Sequence, residues 1–239
     1  MTRATGPRAV LLDLDGTLLD HDGASRSALL AALEGSDLPH ETDVDVPLAR
    51  WRDLETQHFQ RYLEGELTFQ EQRVERTREF LASYGVRDRD QRALLEWFDR
   101  YRRLYEDAWR VFDDVHPFLQ AAAALDNPPT LAVVTNGDLD QQASKLARVG
   151  LDGIALHTSS ELGARKPDAA VFHRVCDVVR VQPADAWFVG DNREVDAEGS
   201  ERAGLHGIWL DRGGGTTQRG HPSRADSLTD VIDWMRDEQ

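Results

Sequence analysis

The chain has 239 residues, 40% of them hydrophobic, and a formal net charge of −15, enough material for one large domain or two modest ones. Such acidity argues against a nucleic-acid polymer or an anionic membrane as partner; an anionic substrate would have to be met by a metal ion or a few well-placed cations. The single cysteine, Cys176, allows no intramolecular disulfide and fits a reducing interior.

The first segment, "MTRATGPRAV", leads into an apolar run without the hydrophobic stretch of a signal peptide. No run approaches the roughly 20 apolar residues that span a bilayer. A cytoplasmic protein is expected. "RAVLLD" (8–13) is the first strand. From 20 to 110 no strand pattern is visible, only amphipathic helices. "TFQE" at 68–71 has the form of a capping box, and Leu94, Trp97, Phe98, Tyr101, Leu104, Tyr105, Ala108 and Trp109 form one stripe at helical spacing. Such a stripe is read as core, with no cofactor assigned to it. Strands then recur at "TLAVVT" (130–135), "GIALH" (153–157), "AWFVG" (186–190) and "HGIWL" (206–210). They lack strict alternation, as strands covered on both faces do. Helical patterns separate them: "DLDQQASKLARVG", ending at Gly150, then "PDAAVFHRVCDVVR" and "EVDAEGSERAG". "DRGGGTTQRG" (211–220) lacks the Lys-Ser/Thr of a phosphate-binding loop and reads as a flexible surface loop. The fold class is therefore α/β: a doubly wound parallel sheet of Rossmann-like kind from residues 1–19 and 111–239, with an all-helical module at 20–110 inserted after the first strand.

Ligands of an open parallel sheet sit beyond the carboxyl ends of its strands. The first strand ends in Asp13 and Asp15, the second in Thr135-Asn136-Gly137. The third is followed by Lys166, and the fourth by Asp191 and Asp196. Singly, each has a structural reading: a turn, a helix cap, an exposed lysine, a first-turn acid. Jointly they bring acids, a hydroxyl and an ammonium to one edge, a set suited to phosphoryl transfer. Asp13 and Asp15, two apart in an extended segment, face one side. A hard cation such as Mg²⁺ wants oxygen ligands, which Asp13 and Asp191 supply. An ionised aspartate can attack phosphorus, and a neighbouring one can protonate the leaving group and then activate water. Thr135 and Lys166 can hold the charge that develops on the phosphoryl oxygens. The 28 basic residues comprise 26 Arg and only two Lys, Lys145 and Lys166. Lys145, mid-helix, is read as solvated surface. The eight histidines show no close pair in the sequence, so a zinc site finds no support there.

"DLDGT" (13–17), "TNG" (135–137), "KPD" (166–168) and "GDNREVD" (190–196) together resemble the four motifs of the haloacid dehalogenase-like hydrolase superfamily. The helical insert is similar to that family's small α-helical cap, and the chain looks loosely similar to the branch of pyrimidine 5′-nucleotidases and N-acylneuraminate-9-phosphatases. The resemblance implies Asp13 as nucleophile and metal ligand, and Asp15 as general acid/base with its carbonyl on the metal. It implies phosphate binding by Thr135 and the Asn136 amide, with Lys166 steadying nucleophile and phosphate. Asp191 would bind Mg²⁺, and Asp196 would stand behind it or touch the metal's waters; Val195, where many relatives have Asn, departs from the pattern. The expected activity is Mg²⁺-dependent hydrolysis of a small phosphorylated metabolite, a nucleoside monophosphate or a sugar phosphate, through an aspartyl-phosphate, by a monomer or homodimer. The alternatives are a phosphomutase, a 2-haloacid dehalogenase or a non-catalytic binding protein. Substrate choice is expected in the helical insert, with His21, Arg50, Arg52, His58, Arg61 and Tyr62 as candidate contacts.

Overall fold

A computed structural model describes residues 6–34, 36, 38, 43–87, 89–214 and 216–238. Residues 1–5 of the amino-terminal stretch, and Gly215 of the 211–220 loop, lie outside them. The described residues divide into two units, one of residues up to 21 and from 109 onward, the other of 22–108.

The first unit is a six-stranded, wholly parallel sheet in the order β3-β2-β1-β4-β5-β6. Its strands are β1 Ala9–Leu12, β2 Thr130–Thr135, β3 Ala155–Thr158, β4 Ala186–Gly190, β5 His206–Leu210 and β6 Ser223–Ala225. Leu11 of β1, Val134 of β2 and Phe188 of β4 pack with Val171, Phe172 and Val175 in one buried cluster. Val10, Leu12, Val133 and Val189, which point the other way, are equally buried. Both faces are therefore covered, which is why these runs are apolar throughout instead of alternating. The chain passes from β1 outward to β2 and β3, then returns to place β4 on the far side of β1. That reversal is the switch point at which an open sheet leaves a crevice.

β3 starts two residues later than the sequence pattern suggests, because Ile154 closes a turn onto the Leu151 carbonyl at 3.0 Å. Helix α6 (Leu139–Arg148) is capped by Asp138, which accepts the Gln141 amide, and Gly150 follows it at φ 74°, a conformation glycine adopts without Cβ strain. α8 (Ala169–Val179) is capped likewise by Asp168. The pattern at 194–204 is not one helix. A wide turn at Arg193–Ala197 runs into the short α9 (Glu198–Arg202). β6, α5 (Val115–Ala123), the one-turn α7 (Ser159–Leu162) and α10 (Leu228–Asp237) also belong to the unit, and no sequence pattern pointed to them. Part of the 211–220 loop is tied down: Arg212 makes two bonds of 3.0 Å to Asp114 and one of 2.8 Å to the Thr17 carbonyl.

The second unit is helical: α2 Asp45–Leu63, α3 Phe69–Ala82 and α4 Gln91–Asp107, with most of α1 (His21–Glu34). The capping box at Thr68 and Glu71 is formed. Trp51 sits at the centre, with ring centroids of Tyr101, Phe80 and Trp97 at 4.7, 5.0 and 5.5 Å. The buried Arg76 lays its guanidinium 3.8 Å over Trp51 and pairs with Glu55 at 2.6 Å. Leu94, Phe98, Tyr101 and Tyr105 supply the buried stripe of α4. Trp109, assigned to that stripe from spacing, lies beyond the end of α4 and belongs to the α/β unit. No helix among the described residues is long and apolar enough to cross a membrane.

Candidate active site

β1 delivers Asp13 one residue past its end, where the Asp13 amide still bonds the Val189 carbonyl at 2.9 Å. β4 delivers Asp191 on the neighbouring strand's end, and the turn after it folds Asp196 back beneath. Lys166 reaches in from the segment before α8. Its Nζ donates to Asp13 Oδ1 at 2.6 Å and to Asp196 Oδ1 at 2.8 Å. All three of these side chains are buried. Asp13, Asp191 and Asp196 each present a carboxylate oxygen within 4.8 Å of the others.

Close backbone approach makes this crowding feasible. A Cβ on Gly16, whose φ is 84°, would lie 2.3 Å from Asp191 Oδ2; a Cβ on Gly190 would lie 2.3 Å from the Asp196 carboxyl carbon. Thr17, fully buried, accepts the Asp191 amide at 3.0 Å, so the "DGT" turn braces the fourth strand's acid. Asn192 caps the wide turn by accepting the Glu194 and Val195 amides, and the Asn192 amide donates to Asp196 Oδ2 at 3.1 Å. Asp196 is thereby held on both oxygens, one by Lys166 and one by backbone. Val195 takes part only through its backbone amide, and its side chain makes none of these bonds.

The electrostatics show three acids against one ammonium. Burial pushes the Asp13 carboxyl up to about 8; Lys166 opposes this, while Asp196 and Asp191 add to it. Asp191, open at the rim yet flanked by protein, is lifted to about 6 by desolvation and by Asp196, against the pull of Lys166. Burial alone would lower the Lys166 ammonium, but Asp13 and Asp196 hold it well above its usual range. The lysine stays charged and is outnumbered. A divalent cation among these carboxylates would balance them, and oxygen-only donors are what Mg²⁺ takes.

Asp15 goes elsewhere. It lies past the end of β1 and does not share the ammonium of Lys166. Lys145 Nζ donates to both of its oxygens, at 2.6 and 2.7 Å, and Gln142 Nε2 adds a bond of 2.9 Å. His21 Nδ1 stands 3.9 Å away. Burial would raise the Asp15 carboxyl, but Lys145, then His21, and the bonds from Gln142 and Lys145 hold it below the ordinary carboxylate range. The surface reading of Lys145 is thus overturned: it is 3% exposed, on the inner face of α6 with Gln142 and Leu146. The chain's two lysines each serve one of the two aspartates after β1. The scarcity of lysine and the three-residue spacing of Gln142 and Lys145 on one helix face were the available signals.

Thr135 ends β2. Its Oγ1 accepts from the Gly137 amide at 3.1 Å and from Gln142 Nε2 at 2.9 Å, which directs its own proton away from both. The Asn136 side chain clasps the backbone of Lys166, donating to its carbonyl and accepting its amide, both at 2.9 Å. Its side chain therefore positions the lysine. The candidates proposed in the helical insert have partners within their own unit. Arg52 pairs with Asp22 at 3.0 Å, Arg61 with Glu66 at 3.0 Å, and the buried His58 faces Glu79 at 3.3 Å. Arg50 lies 5.3 Å over Tyr84, and Tyr62 packs between Phe59 and Phe69.

A parallel sheet whose switch point gathers acids around one buried lysine defines a crevice at the carboxyl ends of its strands. The chain belongs to the haloacid dehalogenase-like hydrolases, whose family model matches residues 7–204. It is similar to phosphoserine phosphatase of Thermus thermophilus, 36% identical over 141 residues that cover 57% of this chain and 53% of that one. It is similar over nearly its whole length to N-acylneuraminate-9-phosphatase of Rattus norvegicus, at 25% identity over 236 residues, covering 95% and 91% of the two chains. Among solved structures, the fold matches the HAD-hydrolase YfnB of Bacillus subtilis bound to magnesium, with a TM-score of 0.77 at 23% identity, covering 96% and 99%. The chain is thus a hydrolase with phosphatases among its relatives.

Proposed function

We propose that the protein is a Mg²⁺-dependent phosphomonoesterase that works through a phosphorylated Asp13. The observation that carries this is the Asp13–Lys166–Asp196 chain beside Asp191, an under-neutralised acid cluster around one buried ammonium. Asp13, Asp191 and Asp196, with the Asp15 carbonyl as the family resemblance implies, would hold the ion. When bound, it supplies the positive charge that keeps Asp13 ionised and screens the phosphoryl oxygens. Asp13 attacks phosphorus through Oδ2 while Lys166 fixes Oδ1, and the bond to the leaving oxygen breaks. Thr135 Oγ1 and the Asn136 amide bind phosphoryl oxygens, together with Lys166. Asp15 passes to the leaving alkoxide a proton drawn from the Lys145 ammonium that donates to both of its oxygens, and returns to Lys145 the proton it takes from the water that hydrolyses phospho-Asp13. A dehalogenase has no leaving group that needs a proton, so the bonds holding Asp15 favour the phosphate reading.

The test is phosphate release with Mg²⁺ or with EDTA from nucleotides, sugar phosphates and an aryl phosphate, using wild type and Asp13→Asn. Metal-dependent release that disappears in the variant is expected, and the preferred substrate identifies the metabolite. Release that survives Asp13→Asn would refute the assignment. Phosphoryl migration without net release would mark a mutase.

A further inference from the structure

A second group of metal-type donors lies outside the catalytic crevice, where the fold joins residues that the sequence spreads apart. His206 opens β5, Glu201 lies on α9 and His221 precedes β6, with one donor atom from each within 4.8 Å of the others. His221 Nδ1 is 3.2 Å from Glu201 Oε2, and His206 Nδ1 is 4.0 Å from Glu201 Oε1. A tetrahedral ion with bonds of about 2.0–2.1 Å holds its donors about 3.3 Å apart. One edge of that tetrahedron is already present. The exposed ring of His221 is free of packing that would stop it closing the others, since 81% of its side-chain surface is open.

Hydrogen bonding fixes how His206 presents itself. The Ser223 hydroxyl accepts the Gly220 amide at 3.0 Å and gives its one proton to the Gly220 carbonyl at 3.1 Å. It also contacts His206 Nε2 at 3.2 Å, where Nε2 is the donor when the hydroxyl proton is on the Gly220 carbonyl. Neutral His206 then turns a bare Nδ1 lone pair toward a carboxylate. Glu201 meets His221 Nδ1 at 3.2 Å, and an ion taking the place of the proton between them would be reached by both imidazoles and the carboxylate; a second-sphere bond on the far nitrogen is the usual orienting device of a metal-bound histidine. The Arg219 guanidinium is engaged by Asp237 at 2.9 Å and Glu238 at 3.4 Å. Glu201 is steadied by the Gly207 amide at 2.9 Å. The histidines open onto a cavity of about 300 Å³ that also borders Trp187 and Trp234, giving an ion and its waters a way in.

The geometry points to a Zn²⁺ site formed by Glu201, His206 and His221, separate from the catalytic acids. Two imidazoles and a carboxylate suit a borderline divalent ion better than Mg²⁺. The site lies at the amino end of β5, four residues from Leu210, which puts it about 13 Å along the strand from the catalytic edge. Its ligands come from α9, β5 and the turn before β6, so a bound ion ties the β5–β6 connection to the sheet.

The experiment is a Zn²⁺ titration of the full chain in excess Mg²⁺ against a chromophoric chelator, with the Co²⁺ absorption spectrum as a second readout. Wild type should bind one equivalent that Mg²⁺ does not displace, and should unfold at a higher temperature with Zn²⁺ present. His206→Gln and His221→Ala should each weaken binding at least ten-fold and remove the thermal shift. Asp191→Asn should retain both. Wild-type affinity in both histidine variants, or no Mg²⁺-resistant equivalent in wild type, would overturn the proposal. His221→Ala alters an exposed side chain and should leave Mg²⁺-dependent phosphate release unchanged, so this outcome is independent of the catalytic assignment.

Discussion

Replacing Lys145 by Met removes a buried charge and keeps most of the side chain's volume, so it isolates what the ammonium does for Asp15. The two oxygens lie 2.6 and 2.7 Å from Nζ. At an effective dielectric of about 20, unit charges about 4 Å apart attract by about 4 kcal/mol. Losing one partner of a buried pair costs about 3–5 kcal/mol. Asp15 is 29% exposed, so water recovers part of this, and a net loss of about 2 kcal/mol is expected. For a chain of this size that is a fall of about 4–8 °C in Tm. In an Asp15→Asn background the same change should be neutral or stabilising, because the ammonium there has lost its counter-charge. Phosphate release should fall more for alkyl than for aryl phosphates, since only poor leaving groups need the proton that Asp15 handles. Thermal unfolding of the four proteins at pH 7, with release assays on both substrate types, makes the measurement. If Lys145→Met loses as much stability without Asp15 as with it, and treats both substrates alike, the pairing is not what Lys145 provides.

Asp13→Asn should lower phosphate release by about 10³-fold or more. It should also change how stability depends on pH. With its carboxyl raised from 3.8 to about 8, the folded metal-free state holds a proton that the unfolded chain has released. Stability from this group is therefore complete below about pH 4 and is lost as pH rises toward 8. Unfolding scans in EDTA should show wild type losing stability relative to Asp13→Asn across that window, and Mg²⁺ should remove the difference; parallel curves would contradict it. Gly190→Ala places a methyl 2.3 Å from the Asp196 carboxyl carbon. Displacement of Asp196 from Lys166 should cost about 1–3 kcal/mol and most of the activity, and an active, equally stable variant would show that the acid is not held there. Trp51→Ala, at the centre of the helical unit and 1% exposed, should cost about 3–5 kcal/mol. Chemical denaturation followed by circular dichroism checks this, and a loss below 1 kcal/mol would mean the ring cluster is not the core.

The sequence by itself determined the class of fold and the sheet edge to which the acids, the hydroxyl and the ammonium are brought. Both follow from local rules: strands covered on both faces are written as unbroken apolar runs, and their carboxyl ends share one edge of a parallel sheet. Asp13, Thr135, Lys166 and Asp191 could be listed together for that reason alone. Local signals also gave the capping box at Thr68 and the glycine beyond α6. Where the signal was weak the reading slipped, as at Trp109, whose helical spacing continues past a helix that has already ended. Only the tertiary structure decided which charges pair. Asp13 and Asp15 are two residues apart, yet one meets Lys166 and the other Lys145, at separations of 153 and 130 residues. Beyond its three-residue spacing from Gln142, nothing in the residues around Lys145 distinguishes a mid-helix lysine facing water from one facing a carboxylate. That depends on which face of α6 the sheet covers, and it is fixed only when the strands are ordered. The same holds for His206 and His221, ordinary in sequence and neighbours only because β6 lies beside β5.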